Sequence, residues 1–312
     1  MQKNEIQLGY KIDLSVIIIS LSTDKYHTKN NLEVTLKSMA PAVRNVKHEV
    51  ILVDNSTIDD GTLKMTKEYF SDVIYLKRKE VHGFGDNNNF GLKQATGRYV
   101  LFLNNDVEVI DKDMFKEMID WMDNNKKVGV VSSALLNSDK KTLQRSGGYF
   151  PNLARVFAWM FFVDDLPFLN TFIKSYHPAI NYFKNSHNQD WVTGAFYLVR
   201  KTVLDEVGAF DEDYDAYVEE TDLSYRIKEQ DWDIWYMPKW KIVHFGGQSY
   251  GNENSLIFEL RNLKLFYKKH YPKWQLPILN IIIKLGCFLR IVIFGLINPK
   301  LSKIYAKAIK SV

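Results

Sequence analysis

The sequence predicts an α/β fold in which a mostly parallel, Rossmann-like sheet is flanked by helices and followed by an amphipathic helical segment at the C-terminus. Two observations carry this prediction. Short β-branched runs alternate with helix-like segments from residue 14 to about residue 132, a pattern typical of βαβ units. Residues 261–312 then combine a long apolar run with eleven Lys or Arg and no Asp or Glu.

In the first half, short apolar runs predict buried strands, because strands covered on both faces read as continuous hydrophobic stretches. The expected strands are Leu14–Ser20, Glu49–Val53, Val73–Leu76, Tyr99–Leu103 and Val128–Ser132. Apolar residues at helical spacing between them predict helices at Leu32–Met39, Leu63–Phe70, Asn87–Ala95 and Asp113–Asn124.

After about residue 133 the alternation fades, and residues 149–190 are aromatic-rich and irregular. Further along, the pattern predicts strands at Trp191–Val199, Asp233–Met237 and Lys241–His244, and helices at Lys201–Val207, Glu219–Glu229 and Arg261–His270. We therefore expect one α/β domain over residues 1–260, with halves of about 14–132 and 133–260. A basic amphipathic appendage is expected over 261–312.

Composition and charge exclude several classes of protein. The 312 residues are 46% hydrophobic and 25% charged, which excludes a disordered or collagen-like chain. The single cysteine, Cys287, excludes an internal disulfide and fits a reducing compartment. The net charge of +4 divides into +11 over residues 261–312 and −7 before them. A basic and apolar tail favours contact with a membrane surface over nucleic acid.

The apolar segment Leu276–Ile297 leaves three interpretations open. On a helix, Asn280, Lys284, Cys287 and Arg290 fall within an arc of roughly 120°. A helix lying in the membrane interface with this polar arc facing water is the favoured interpretation. A helix packed on the main domain or on a partner subunit, and a helix spanning the bilayer, are the alternatives. The polar, mixed-charge stretch Met1–Leu14 does not resemble a signal peptide.

Polar side chains follow each of the first four predicted strands, where ligands bind in open parallel sheets. In chain order, the polar residues are Ser20, Ser22 and Asp24; then Asp54, Asn55 and Ser56; then Gly83–Asn89; and finally Asn104, Asn105 and Asp106.

The sequence lacks a phosphate-binding P-loop, and it lacks a G-x-G-x-x-G after the first strand. The absence of these motifs disfavours a dinucleotide-dependent dehydrogenase.

Three groups of residues carry candidate chemistry. Asp106 follows an apolar strand, as a ligand of a divalent cation bridging two phosphates would, although a turn residue fits the same position. The acidic run Glu219–Asp222 either supplies a general base or caps a helix. His244, followed by two glycines, is either a metal ligand or a core histidine.

Taken together, the motifs resemble an inverting glycosyltransferase of family 2 with the GT-A fold, in its bacterial rhamnosyltransferase-like branch. The resemblance covers about residues 14–270. The matching segments are Val16–Ile19, Val53–Ser56, Asp60–Gly61, Gly83–Gly91, Leu101–Asp106, Val192–Ala195, Gly208–Glu212, Glu219–Leu223 with Arg226, and His244 with Gly247 and Ser249.

This resemblance implies a role for each matched residue. Ser20, Asp54, Asn88, Asn105 and Asp106 would line the nucleotide-sugar site, and Asp106 and His244 would bind Mg²⁺ or Mn²⁺. Glu220 would be the catalytic base, with Asp222 as the alternative base or a structural residue. The acceptor side would include Trp191, Thr193, Gly194 and Glu219.

The family further implies a sugar donor and a lipid-linked surface-glycan acceptor. A dTDP-sugar, dTDP-L-rhamnose first, is favoured over a UDP-hexose, UDP-N-acetylhexosamine or UDP-galactofuranose. The chain lacks the Gln-x-x-Arg-Trp motif of processive synthases, so we expect few sugars per acceptor. We expect a cytoplasmic enzyme that is peripheral at the inner face of the cell membrane and has no nucleic-acid partner. A homodimer is a possible assembly. A sugar nucleotidyltransferase is disfavoured, because Ser20–Lys29 lacks its glycine- and Lys/Arg-rich loop, and an inactive glycan-binding homologue is the other alternative.

Overall fold

A central mixed sheet with helices on both faces forms the body of the chain. The structure, a computed structural model, describes residues 10–166, 169, 174–246 and 251–311, without the side chains of 251–254. The strands are β1 (Leu14–Ser20), β2 (His48–Asp54), β3 (Ile74–Lys77), β4 (Tyr99–Leu103), β5 (Val107–Val109), β6 (Val128–Leu136), β7 (Gly147–Gly148), β8 (His187–Asn188), β9 (Trp191–Val192), β10 (Phe196–Arg200) and β11 (Asp233–His244).

Ten α-helices lie within the part of the chain that the structure describes. They are α1 (Lys29–Ala42), α2 (Thr62–Tyr69), α3 (Phe84–Leu92), α4 (Met114–Asn124), α5 (Leu153–Met160), α6 (Lys201–Val207), α7 (Glu219–Glu229), α8 (Gly251–His270), α9 (Gln275–Ile297) and α10 (Pro299–Ser311). Of these, α5 is absent from the sequence-based prediction, as are the short strands β5, β7 and β8, whereas α9 and α10 lie in the expected C-terminal helical segment.

The order of strands across the sheet is β3-β2-β1-β4-β10-β6-β11-β5. β3, β2, β1 and β4 run parallel, so the residues that follow them collect at one edge. β10 lies antiparallel between β4 and β6, and this central reversal is the main departure from an all-parallel sheet. The expected strand over Trp191–Val199 is interrupted, because Thr193–Ala195 form a turn between β9 and β10.

Alternate residues of β1 explain why the sheet is buried on both faces. Val16 and Ile18 pack with α1 and α4 on one side, whereas Ile17 packs on the other side. All three side chains are fully buried. The apolar runs read from the sequence are therefore core strands, and polar chemistry is confined to their ends.

The helices α8, α9 and α10 pack with α5 around a third core of their own. Within it, Gly286 of α9 lies against Met160, and a Cβ at this glycine would come within 2.6 Å of the Met160 Cβ. The expected division between residues 260 and 261 falls inside α8, so this helix belongs to both expected parts of the chain.

The predicted orientation of α9 was wrong in part. Lys284 of the expected polar arc is exposed, but Cys287 and Arg290 are buried. Arg290 donates through Nε to the carbonyl oxygen of Met160 at 3.0 Å and also contacts the carbonyl of Trp159. These carbonyls lie at the C-terminal end of α5, where no further turn of helix supplies donors; the backbone N–H of Phe162 also donates to the Trp159 carbonyl, at 3.4 Å. Because α5 was not predicted from the sequence, these contacts were not foreseen.

Candidate active site

Asp54 and Ser20 lie side by side at the ends of β2 and β1, as expected from the parallel register. The Ser20 Oγ donates to Asp54 Oδ1 at 3.2 Å, while Tyr75 and Lys77 donate to Oδ2 at 2.5 and 2.9 Å. Burial raises the pKa of Asp54, but hydrogen bonds from Ser56, Tyr75 and Lys77 outweigh it, so the net pKa lies below its usual value. Asp54 is therefore an ionised anchor beneath the strand ends.

A cleft opens at this edge of the sheet. Asn105 lies here, as expected from the sequence, and its side-chain amide donates to the carbonyl of Ile19 at 2.5 Å. Asn88 is not among the lining residues: its side chain is buried and donates to the carbonyl of Phe84, while the neighbouring Asn87 lines the cleft. The lining residues are Ile19, Leu21, Asn55, His82, Phe84, Asn87, Leu103, Asn104 and Asn105.

Asp106 and His244 meet at the ends of β4 and β11. The Asp106 carboxylate is buried, and its Oδ1 has no hydrogen-bond partner. His244 Nε2 lies 3.4 Å from that oxygen without a hydrogen bond to it, and 3.4 Å from the side-chain amide nitrogen of Asn104. Gly247 and Ser249, expected to continue this motif, lie outside the described residues.

The donor set fits a divalent cation that keeps open positions. No group of three or more His, Cys, Asp or Glu able to hold a metal occurs among the residues that the structure describes. One carboxylate oxygen and one imidazole nitrogen nevertheless suit Mg²⁺ or Mn²⁺, which takes its remaining ligands from phosphate oxygens and water. The unpartnered Oδ1 of Asp106 is the observation that supports this fit.

Gln144, in the loop after β6, holds the ring of His244 from behind. Its Oε1 lies 2.9 Å from His244 Nδ1, and its Nε2 donates to the carbonyls of His244 at 2.6 Å and Leu136 at 3.3 Å. Gln144 was not predicted from the sequence. A polar side chain in a loop carries no local signal that it will meet a strand end 100 residues later.

Glu219 and Glu220 begin α7 immediately after a strained turn. Tyr217 and Val218 have φ angles of 66° and 76°, a left-handed conformation that is a genuine outlier for a β-branched residue. Asn262 of α8 donates to the carbonyls of Ala216 and Tyr217 at 2.7 and 3.0 Å, which holds the turn. Strain of this kind is maintained at functional sites by surrounding contacts.

Glu220 is the carboxylate best placed to accept a proton. Burial raises its pKa to about 7. The negative charge of Glu259 also raises this pKa, whereas a hydrogen bond from the backbone N–H of Gly194 lowers it. Its Oε2 has no hydrogen-bond partner. The neighbouring Glu219 is buried, and burial followed by repulsion from Glu220 raises its pKa well above the usual range.

The expected acceptor residues surround this carboxylate only in part. Thr193 and Gly194 form the turn between β9 and β10, and the Gly194 backbone reaches Glu220. A Cβ at Gly194 would lie 3.1 Å from the ring of Phe84, a residue of the cleft. Trp191 is nearly buried, and its indole N–H donates to the carbonyl of Tyr149 at 3.3 Å. Trp191 is therefore a wall of the site rather than a free stacking surface.

Asp222, the alternative base, faces away from these groups. Its carboxylate is 1% exposed and accepts hydrogen bonds from Arg226 at 2.9 Å, His270 at 2.6 Å and Tyr214 at 3.3 Å. Burial raises the pKa of Asp222, but the bonds from His270 and Arg226 outweigh it and lower the net pKa. A carboxylate bonded in this way is a structural anchor between α7 and α8.

The profile described as Glycosyl transferase family 2 matches residues 15–208, more than half of the chain and most of the elements that build this site. The chain belongs to glycosyl transferase family 2. The resemblance read from the motifs is thereby confirmed. Asn262, which holds the strained turn, and the helices α8–α10 lie beyond the matched segment.

Relatives within this family include two rhamnosyltransferases. The chain is 26% identical over 212 residues to the rhamnosyltransferase WbbL of Escherichia coli K12, covering 64% of this chain and 73% of that protein. It is 30% identical over 91 residues to the N-acetylglucosaminyl-diphospho-decaprenol L-rhamnosyltransferase of Mycobacterium tuberculosis H37Rv, covering 28% and 30% respectively.

Solved structures of glycosyltransferases share the fold. The mannosyltransferase PcManGT from Pyrobaculum calidifontis, in complex with GDP-Man and Mn²⁺, aligns with a TM-score of 0.56 at 16% identity, covering 96% of this chain and 74% of that one. GalNAc-T7 with UDP, GalNAc and Mn²⁺ aligns with a TM-score of 0.57 at 13% identity, covering 85% and 49%. The family 2 chain therefore has the expected GT-A fold.

Proposed function

We propose that this family 2 chain is an inverting glycosyltransferase that moves L-rhamnose from dTDP-L-rhamnose to a hydroxyl of a lipid-linked surface-glycan acceptor. The observation that carries the inverting mechanism is Glu220, a half-buried carboxylate with an unpartnered Oε2 and a pKa of about 7. The named activities of the Escherichia coli and Mycobacterium tuberculosis relatives support rhamnose as the sugar.

In this mechanism the chain performs a single displacement. Glu220 removes the proton of the acceptor hydroxyl, whose oxygen forms the new bond to the anomeric carbon as the bond to the diphosphate breaks. The acceptor proton ends on Glu220, and the anomeric configuration inverts. A pKa near the working pH suits a general base, because the group is ionised yet basic enough to take a proton.

The other charge in the reaction develops on the departing nucleoside diphosphate. Asp106 and His244 would hold a divalent cation at the cleft, and such a cation neutralises the diphosphate as it leaves. The cleft itself would hold the nucleotide between the apolar side chains of Ile19 and Leu21 and the amides of Asn55 and Asn87. Asp54, fixed by four donors, supports this pocket from below.

Two other functions stay open as outcomes of a test. A UDP-sugar would keep the same mechanism and change the donor, and an inactive glycan-binding homologue would need no donor at all. We propose few sugar additions per acceptor, because the Gln-x-x-Arg-Trp motif is absent from the sequence. The acceptor's lipid carrier would place the enzyme at the cytoplasmic face of the cell membrane, and a homodimer remains an alternative for its basic C-terminal helices.

Thermal unfolding with dTDP, UDP or GDP, each with and without Mn²⁺, tests the donor and the site together. A nucleotide at 100 times its Kd stabilises the folded state by about 2.7 kcal/mol. We expect dTDP to stabilise most, Mn²⁺ to enhance the effect, and Asp106→Ala to abolish the enhancement. A UDP preference would replace the proposed donor, and no response to any nucleotide would support the non-catalytic alternative.

A further inference from the structure

The outer face of α9 is an unbroken apolar stripe. Its residues recur at spacings of three and four, which on an α-helix places them within an arc of about 80°. Their exposed fractions run from 40% at Ile278 to 86% at Leu296. The stripe comprises Ile278, Ile281, Leu285, Phe288, Val292 and Leu296.

These residues are exposed although α9 itself packs against the protein. The opposite face of α9 is fully packed: Leu279, Ile283 and Cys287 are 0% exposed, and Arg290 is held by α5 and by the Tyr305 hydroxyl of α10. One face of α9 therefore packs against the protein, and the other face is exposed to solvent. A contiguous exposed apolar surface on a helix whose opposite face is packed marks an interaction site.

The next helix, α10, carries a stripe of charge with the same geometry. Lys300, Lys303, Lys307 and Lys310 recur at spacings of three and four, and all are exposed. No Asp or Glu follows Arg261 in the sequence. Clusters of four to eight basic residues beside an amphipathic helix favour anionic lipid headgroups.

We propose that α9 and α10 form a docking surface for an anionic membrane, with the apolar stripe of α9 entering the headgroup boundary and the lysines of α10 meeting lipid phosphates. The surface deepens the membrane location proposed above and stands on the two helices alone, whatever the donor sugar. Among the described residues α9 has the length and apolar composition to cross a bilayer, but Arg290 and its packed face fix it on the protein instead.

A second copy of this chain is the rival occupant. A three-four spacing of apolar residues is also that of a coiled-coil seam. Pairing two copies along α9 would, however, bring together the exposed cations of the two helices, Lys284 and the four lysines of α10, and neither α9 nor α10 contains an anion to offset them. An anionic bilayer supplies the missing charge, so charge complementarity favours the membrane.

Flotation of the full-length protein with vesicles of phosphatidylcholine, with and without phosphatidylglycerol, tests the proposal. We expect binding that requires phosphatidylglycerol and weakens with added salt. The double variant L285D/F288D should reduce the bound fraction at least tenfold, as should replacing the four lysines of α10 by Gln. Val34→Asp, at a helical position with 38% exposure on α1, is the matched control and should bind like the wild type.

Size-exclusion chromatography with light scattering and thermal unfolding of each variant complete the test. A folded L285D/F288D protein that still floats with anionic vesicles would overturn the proposal. So would a wild-type dimer that L285D/F288D converts to monomers, combined with no vesicle binding. Donor-induced thermal stabilisation is read separately, so failure of membrane docking and failure of the proposed sugar donor give different results.

Discussion

The side-chain amide of Gln144 determines which nitrogen of His244 faces Asp106. Both N–H groups of the amide are used, on the carbonyls of His244 and Leu136, so its Oε1 is left to face Nδ1 at 2.9 Å. An amide oxygen only accepts hydrogen bonds, so the proton of a neutral ring must lie on Nδ1. The unprotonated Nε2 then lies 3.4 Å from Asp106 Oδ1 and 3.4 Å from the side-chain amide nitrogen of Asn104, and an imidazole nitrogen with a free lone pair beside a carboxylate suits a bound cation.

Replacing Gln144 should therefore weaken metal binding without touching a metal ligand. We expect Gln144→Leu to lower the affinity for Mn²⁺, measured by titration in the presence of nucleotide, by about 10- to 100-fold. In the metal-free wild type, ¹⁵N spectra of selectively labelled histidine should show His244 protonated on Nδ1. Gln230→Leu, an exposed glutamine at the end of α7, is the matched control.

The two readouts separate the role of Gln144 from the metal site itself. If His244 carries its proton on Nε2 in the wild type, Gln144 does not determine the protonation site of the ring. If the ring is oriented as expected but the wild type does not bind Mn²⁺, the metal role of Asp106 and His244 fails instead.

The strands could be predicted from the sequence because a strand that is buried on both faces must be apolar at almost every position. Leu14–Ser20 and Tyr99–Leu103 occur with the expected bounds, and the polar residues after them lie at the same edge. The antiparallel direction of β10 could not be read, because an apolar run is equally compatible with either direction. Family motifs, rather than periodicity, supplied the roles proposed for Glu220 and His244.

The features that were not predicted depend on contacts between residues far apart in the sequence. The burial of Arg290 depends on carbonyls at the end of α5, which the aromatic-rich segment did not reveal as a helix. The polar partner of His244 is 100 residues away, and the residue that donates to the turn before Glu220 is Asn262 of α8. A polar residue with no local motif gives no sign of the backbone group that it will meet.

Glu220 should set the acidic limb of the pH–rate profile. The carboxylate must be ionised to accept a proton, and its pKa is about 7, so transfer should rise as the pH rises through about 7. Glu220→Gln should lower kcat by at least about 100-fold while dTDP still stabilises the protein. Product formation from dTDP-L-rhamnose across pH 5–9 measures both; an unchanged profile in Glu220→Gln would assign the limb elsewhere.

Glu219 should make the folded state less stable at high pH. Burial raises its pKa above the ordinary value of 4.5, so the folded state binds a proton that the unfolded chain has released. The contribution is fully present below pH 4.5 and is lost as the pH rises through the raised folded value. Glu219→Gln should therefore raise the Tm more at pH 8 than at pH 5. The exposed Glu68→Gln on α2 should show no such difference.

Asp222 should matter for stability rather than for chemistry. Breaking a buried ion pair costs about 3–5 kcal/mol, so Asp222→Asn should lower the free energy of unfolding by roughly that amount. Because its pKa is lowered, the stabilisation exists above the ordinary value of 3.8 and is lost as the pH falls through the folded value. Denaturant unfolding measures the loss. A kcat within a few-fold of wild type, per folded molecule, would separate Asp222 from Glu220; a loss as deep as that of Glu220→Gln would identify Asp222 as the base.

Asn262 should affect catalysis through the turn that precedes Glu220. Left-handed residues such as Tyr217 and Val218 cost on the order of 1–3 kcal/mol each, and the buried Asn262 amide donates to two carbonyls of that turn. Without these bonds the turn relaxes, and Glu220 loses its position beside Gly194. We expect Asn262→Ala to lower kcat about tenfold or more, since small misplacements of a catalytic group are costly.

Binding of the sugar donor distinguishes an effect on the turn before Glu220 from a general effect on the fold. The cleft is lined by residues of β1, β4, α3 and the loops beside them, none of which Asn262 contacts, so the KM for the donor and stabilisation by dTDP should stay unchanged. Asn124→Ala, which removes an exposed amide bonded only within α4, should leave kcat, KM and Tm at wild-type values. If Asn262→Ala weakens dTDP binding and kcat equally, the residue supports the whole fold and not the catalytic turn.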